Sequence, residues 1–278
     1  MPELPEVETV RRSLDAVLPG RVLLGVDVRI PKLRWPIPRA QLKELEGGRL
    51  LAVRRRGKVL LMDFEASAGS NMTVLGHLGM SGRMLVEAEP GAWEKHEHLR
   101  FAFEGRTMRF IDPRRFGSIE LTPTEAVHMH DRVRRLGPEP LSEAFDGVYL
   151  FDKSRGRKLA LRDFLLQGSM VAGVGNIYAN EACFRAKLRP GRAAGRLTKA
   201  QALRLCDHVK EVLSDAIEAG GTTLKDGGYV DGEGNPGWFA IQVGVYGREG
   251  EECRRCGGTI RRKTIGQRSA FYCVGCQL

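Results

Sequence analysis

Residues 22–30 read Val-Leu-Leu-Gly-Val-Asp-Val-Arg-Ile. Val22, Leu24, Val26, Val28 and Ile30 fall on every second position, the period of a strand with one face buried. Upstream the period differs. Leu4, Val7, Val10, Leu14, Val17 and Leu18 recur at helical spacing, and Pro19-Gly20 ends that run. The chain thus passes from helix to strand near residue 20. Strand-like segments follow at 49–54, 58–64, 71–76, 82–87 and 115–121, with a hairpin over 99–111 that turns at Glu104-Gly105. One helix in front of mostly antiparallel strands predicts a sandwich.

Beyond Thr122-Pro123 the pattern turns helical. Helices are expected at 124–136, 142–150, 156–166, 176–187 and 198–219, with Gly137-Pro138-Glu139-Pro140 as a stiff linker. The last helix has Thr198 as N-cap, an apolar stripe of Leu205, Val209, Val212, Leu213 and Ile217, and Gly220-Gly221 at its end. Residues 221–240 are rich in glycine and read as a long loop, of a kind that is usually functional or mobile. The fold class is α+β. The expected domains are 1–122, a linker over 123–141, 142–240, and a small C-terminal unit over 244–278.

The 278 residues carry a formal net charge of +10, with 42% hydrophobic and 28% charged side chains. That composition is ordinary for a soluble globular protein, and the positive surplus favours a polyanionic partner. No apolar run approaches the length of a membrane helix, about 20 residues. Glu3, Glu6 and Glu8 at the start are unlike a secretory signal, so the expected compartment is the cytosol.

Four of the six cysteines form Cys253-x2-Cys256 and Cys273-x2-Cys276, separated by sixteen residues. In a reducing compartment this spacing points to a closed tetrahedral zinc site rather than to disulfides. Between the pairs, Thr259–Ile265 and Ser269–Tyr272 can form a hairpin with Gly266-Gln267-Arg268 at its tip. Its Arg254, Arg255, Arg261, Arg262, Lys263 and Arg268 suit contact with phosphate. Cys183 and Cys206 stand in helical patterns and read as buried, unreactive thiols.

Two further segments carry weaker signals. Residues 167–176, Gln-Gly-Ser-Met-Val-Ala-Gly-Val-Gly-Asn, lie between two helical patterns. Backbone N–H groups at the helix start, beside Asn176, suit a phosphate, and a plain connecting turn is the other reading. At the N-terminus Pro2 follows Met1, and so small a residue permits removal of the methionine. The exposed secondary amine could then attack an aldehyde-like sugar carbon, with Glu3 as general acid. A simple Pro-Glu helix start is the competing reading.

Taken together, several motifs resemble one family in its own order. They are Pro2-Glu3-Leu4-Pro5-Glu6-Val7-Glu8-Thr9, Arg56-Gly57-Lys58, His77-Leu78-Gly79-Met80-Ser81-Gly82 and Asp112-Pro113-Arg114-Arg115-Phe116-Gly117. Val174-Gly175-Asn176-Ile177-Tyr178, Gly220-Gly221-Thr222-Thr223-Leu224, Val245-Tyr246-Gly247-Arg248 and the four-cysteine tail ending Cys276-Gln277 complete the set. The chain resembles the bacterial formamidopyrimidine-DNA glycosylases along nearly its whole length.

The resemblance implies a β-sandwich, a helix-two-turn-helix domain and a zinc-finger hairpin. It implies a monomer that binds double-stranded DNA, removes oxidised purines and nicks the strand at the abasic site. Pro2 would form a Schiff base with C1′ of the sugar, and Glu3 would open the sugar ring. Lys58 and Arg268 would bind phosphate and assist the eliminations. Met80, Arg114 and Phe116 would fill the gap left by the extruded base. Asn176, His96 and Arg157 would contact DNA, and Cys253, Cys256, Cys273 and Cys276 would hold one zinc ion. The loop 222–237 would close over the damaged base. Leu166-Gln167-Gly168 and Val59 depart from the family's usual residues, which bears only on local packing. The rivals are an endonuclease VIII-type enzyme for oxidised pyrimidines, against which Leu4 and Thr222-Thr223 speak, and a non-catalytic DNA-binding protein.

Overall fold

The computed structural model describes residues 2–65, 71–223 and 229–278. The chain divides into two compact units. The first is Met1–Arg134 with Ala219–Trp238, and the second is Arg135–Glu218 with Phe239–Leu278.

In the first unit, α1 (Leu4–Asp15) precedes two four-stranded antiparallel sheets. One sheet runs β1 (Leu23–Val28), β6 (Glu97–Phe103), β7 (Arg106–Ile111), β5 (Arg83–Glu87). The other runs β2 (Arg49–Arg56), β3 (Val59–Glu65), β4 (Asn71–His77), β8 (Ser118–Pro123). A short helix α2 (Arg39–Lys43), absent from the sequence reading, lies between β1 and β2. Val7, Val10 and Leu14 of α1 join residues of both sheets, among them Phe64, Phe101 and Phe110, in one buried core. Each such side chain contributes about 1.5–3 kcal/mol by leaving water.

Strict alternation in 22–30 holds only in part. The register of β1 against β6 shifts between Leu23 and Gly25, so Leu23 points into the core and Leu24 is 61% exposed. A bulge of this kind inverts which residues face inward. The β6–β7 hairpin turns at Glu104-Gly105 as expected, with Gly105 at φ +66°. Residues 124–136 do not form an α-helix. A 3-10 turn over Thr124–Met129 ends at His130, which is extended. Val127 and Val133, six positions apart, cannot share a helical face. They pack instead against Val59, Leu61 and Leu75.

The second unit holds α3 (Gly147–Ser154), α4 (Leu161–Leu166), α5 (Asn176–Arg185) and α6 (Lys199–Glu218), then the hairpin β9 (Ile260–Ile265) and β10 (Arg268–Cys273). Helix α3 starts later than the sequence suggested, because Asp146 caps it by accepting from Tyr149 N at 2.7 Å. Helix α4 is shorter than 156–166, because Ala160 bridges Ala193 in extended form. At α6 the expected Thr198 cap is reciprocal. Its hydroxyl accepts from Gln201 N at 3.2 Å, and Gln201 Oε1 accepts from Thr198 N at 3.1 Å.

Residues 219–223 and 229–238 belong with the first unit rather than with a 142–240 domain. Tyr229 is buried in the sandwich core, and Thr222 N donates to Glu6 of α1 at 2.8 Å. Among the described residues no helix is long and apolar enough to cross a membrane.

Candidate active site and nucleic-acid interface

Pro2 and Glu3 immediately precede α1 and both are buried, Glu3 to 2% exposure. Met1 lies outside the described residues. Glu6, one turn on, fixes this corner. Its carboxylate accepts from Glu3 N at 2.7 Å and from Thr222 N at 2.8 Å, and its carbonyl accepts from the Tyr229 hydroxyl at 3.3 Å. The chain on either side of residues 224–228 is thereby moored to the start of α1. Those five residues, part of the expected lesion loop, lie outside the described residues.

Lys58 is the second residue of the two-residue turn between β2 and β3, after Gly57 at φ +59°. Arg55 ties this turn to α1, pairing with Glu8 at 3.0 Å and donating to Gly57 O at 2.9 Å. Burial would raise the Glu8 carboxyl, but hydrogen bonds from Arg11 and Arg55 bring it below its ordinary range.

The expected wedge residues come together on two loops. Met80 is 40% and Phe116 42% exposed, which removes core packing as an account of them. The Arg114 guanidinium lies 4.8 Å from the centre of the Phe116 ring. Gly79, at φ +63°, allows the loops to touch, since a Cβ there would lie 2.4 Å from the Phe116 carbonyl carbon. His96 is half-buried at φ +66°, and its carbonyl accepts from Asp112 N at 2.9 Å. The loop bearing His96 is held by Glu97, which bonds Arg109 and Arg100. Burial would raise the Glu97 carboxyl, but the two guanidiniums outweigh it and hold it at about 2.

In the second unit Asn176 opens α5. Its amide donates to Ser269 O at 3.0 Å and its Oδ1 accepts from Arg162 at 2.7 Å. Arg162, fully buried, also donates to Ile265 O at 2.6 Å and to Arg268 O at 3.3 Å. Asn176 and the hairpin tip bearing exposed Arg268 therefore form one assembly. The tip is a two-residue turn, Gly266-Gln267, and Arg268 is the first residue of β10. Arg157 is exposed just after the turn that follows α3, and its carbonyl accepts from Gly195 N at 2.9 Å.

The sulfurs of Cys253, Cys256, Cys273 and Cys276 all lie within 4.8 Å of one another. Cys253 and Cys276 are 3.8 Å apart, and Cys256 and Cys273 3.4 Å. A tetrahedron of Zn–S bonds places sulfurs about 3.8 Å apart, so the four thiolates fit one structural zinc. Gln277 braces the second pair, accepting from Cys273 N at 2.8 Å and donating to Leu188 O at 2.7 Å. Cys183 and Cys206 are buried and are not part of the four-cysteine cluster, their thiols pushed by burial up to about 12 and about 11.

Sequence reasoning missed Glu6, Asp112, Arg162, Glu181 and Gln277 as supports. Glu181 lies in a helix buried almost all round and accepts from the backbone N–H groups of Gly244, Val245 and Tyr246 at 2.7–3.0 Å. A carboxylate among Ala179, Ala182, Cys183 and Phe184 was the available signal, because a charge is not buried without partners.

The formamidopyrimidine-DNA glycosylase N-terminal domain matches residues 1–119, and that family's H2TH domain matches 136–227. A zinc finger found in FPG and IleRS matches 250–278. The formamidopyrimidine-DNA glycosylase of Pseudomonas paraeruginosa is 47% identical over 281 residues, covering 100% of both chains. The chain belongs to the formamidopyrimidine-DNA glycosylase family. Solved structures of the family agree along the whole chain. The crystal structure of MutM (Fpg) from Thermus thermophilus has a TM-score of 0.88 at 41% identity, covering 99% of this chain and 98% of that one. A Lactococcus lactis Fpg variant in complex with Fapy-dG-containing DNA has a TM-score of 0.89 at 33% identity, covering 99% of each. The α+β class, the DNA-glycosylase type of enzyme and the zinc-finger hairpin read from the motifs stand as members of this family have them.

Proposed function

We propose that this protein is a base-excision-repair DNA glycosylase and abasic-site lyase for oxidised purines, with the nitrogen of Pro2 as its nucleophile. The observation that carries this reading is the corner around Pro2, where a buried proline and a buried glutamate precede a helix whose Glu6 fixes their backbone.

The reaction follows from the groups. With Met1 removed, the Pro2 nitrogen attacks C1′ of the damaged nucleoside. Glu3 delivers a proton to the sugar ring oxygen, and the glycosidic bond breaks, releasing the base. The resulting iminium draws electrons from C2′. Loss of a C2′ proton expels the 3′ phosphate, and a second elimination expels the 5′ phosphate. Lys58 and Arg268 bind the flanking phosphates, and Asn176, His96 and Arg157 add contacts to DNA. Met80 and Phe116 enter the space vacated by the extruded nucleotide, offsetting the few kcal/mol of unstacking, while Arg114 bonds the orphaned base. Cys253, Cys256, Cys273 and Cys276 hold the zinc that shapes the hairpin. Such a protein works in the cytosol on nucleoid DNA, as a single chain.

The test is an N-terminally blocked protein. Retaining Met1, or adding a residue before Pro2, turns the amine into an amide, which is not nucleophilic. Duplex binding persists, while lyase activity and the borohydride-trapped adduct both disappear. An undiminished adduct would move the nucleophile to a lysine, Lys58 first. Excision of 8-oxoguanine in preference to thymine glycol separates this reading from that of a pyrimidine enzyme.

A further inference from the structure

Asp112 is fully buried in the first unit, yet it lies in the motif that carries Arg114 and Phe116. Its Oδ1 accepts from the Ser81 hydroxyl at 2.7 Å, and its Oδ2 accepts from Gly117 N at 2.8 Å. The first bond reaches the Met80 loop, and the second closes the Arg114–Phe116 loop. The Ser81 oxygen in turn accepts from Arg114 N at 3.2 Å. The backbone of Asp112 is engaged as well. Its N–H donates to His96 O at 2.9 Å, and its carbonyl accepts from Arg115 N at 3.2 Å and lies 3.0 Å from His98 Nε2. Arg115 is held at φ +55°, a conformation that costs about 1–3 kcal/mol and persists only where its surroundings impose it.

One buried side chain is thus the joint between segments more than thirty residues apart in sequence, each ending in an exposed residue. Gly79 and Gly117 are the complements of this joint. A Cβ on Gly117 would lie 2.8 Å from His77 O and 3.1 Å from Asp112 Oδ2, so the loops meet backbone to backbone.

From this geometry we infer that Asp112 is a positioning residue for lesion extrusion: its carboxylate locks the Met80 loop and the Arg114–Phe116 loop into one preformed wedge. The inference rests on the reading of Met80, Arg114 and Phe116 as gap-filling residues. A wedge that must enter a stack in one motion gains from being rigid beforehand, because ordering it at that moment would cost conformational entropy. A carboxylate suits this joint because it accepts at both oxygens, whereas an amide accepts at one only.

The experiment uses the whole enzyme with Asp112→Asn, Phe116→Ala and the double substitution. Single-turnover excision of 8-oxoguanine, affinity for undamaged duplex and thermal midpoint are measured for each. Asp112→Asn breaks a charge-assisted hydrogen bond and slows excision by about 10–100-fold, while undamaged-duplex affinity stays unchanged. The double variant is no slower than the slower single one, because both act through the same wedge. Losses that multiply in the double variant overturn the inference, since Asp112 then acts elsewhere. Normal excision by Asp112→Asn, with Phe116→Ala slow, overturns it too. Normal excision by Phe116→Ala removes the wedge reading itself and the inference with it. If Asp112→Asn does not fold, Ser81→Ala decides. It removes only the link between the loops, and it slows excision less, again without adding to Phe116→Ala. Unchanged excision by Ser81→Ala refutes the joint.

Discussion

His77 ends β4, and its Nδ1 accepts from Gly79 N at 3.0 Å, at the root of the Met80 loop. Burial, and then the cations of Arg132, Lys58 and Arg34, hold its pKa down at about 4. The ring is neutral at physiological pH, as an accepting Nδ1 requires. The sign of the pH dependence follows. The unfolded chain takes up a proton near pH 6.5, and the folded chain does so only near pH 4. Stability therefore falls as pH drops between those values and is unaffected above them. Thermal midpoints from pH 8 to pH 4.5 should show this loss in the wild type and less of it in His77→Asn, which keeps an acceptor and does not titrate. Parallel curves would mean that His77 is not the source. Cys183 and Cys206 offer a second check at this scale. With thiols pushed to about 12 and about 11, neither reacts with iodoacetamide at pH 8 until the protein is unfolded. Modification of either in the native protein, read by mass spectrometry, would contradict their burial.

Among the elements, α6 and the zinc hairpin make separable predictions. Thr198→Ala removes one arm of the cap on α6 and lowers stability by about 1 kcal/mol, with no effect on excision. Calorimetry and a nicking assay on the same sample check both halves. Cys256→Ser opens the zinc site, and the hairpin loses its shape, because Ile260, Phe271 and Cys273 are too few to form a core without the metal. The remaining elements keep their own cores, so circular dichroism changes little while DNA affinity and nicking are lost. Nicking by a zinc-free protein would refute the role given to the hairpin. These elements also show what the sequence made legible. Helices α1 and α6 were readable because an apolar stripe of helical period runs through each, and β3 because it is a short, nearly continuous apolar run. The 124–136 segment was misread because Val127 and Val133 serve a cluster on one face of the β3 and β4 strands without sharing a helical face. The start of α3 was missed because its cap, Asp146, stands inside a run that already looked helical. The residues proposed to carry the chemistry stand in motifs that the sequence itself displays. Asp112, Arg162 and Glu181 were not legible as supports, because a buried charge acquires its meaning only from partners far away in sequence.

At the scale of the whole molecule, a net charge of +10 makes DNA affinity fall steeply with salt, as phosphate contacts release counterions. If Arg268 binds phosphate as proposed, Arg268→Ala lowers the slope of log K against log salt by about 1, whatever the DNA sequence. Titrations at several salt concentrations test this, and an unaltered slope would separate Arg268 from phosphate. The partition of the chain was the least legible feature. The glycine-rich stretch after α6 reads as a tail of the helical half, and only the contacts of Thr222 with Glu6 and of Tyr229 with the sandwich core assign it to the first unit.

That assignment has a bearing on synthesis. Residues 1–134 leave the ribosome first, but they are not a finished unit, because Ala219–Trp238 is still to come. At 5–20 residues per second the wait is roughly 5–20 s. During it the corner around Pro2 lacks the Thr222 amide that Glu6 accepts from, and the sandwich lacks Tyr229. A nascent chain halted before residue 219 should therefore be more open to proteolysis around α1 than one released after residue 238. The corner around Pro2, made before the segment that braces it, would be set in place only once Thr222 and Tyr229 had followed.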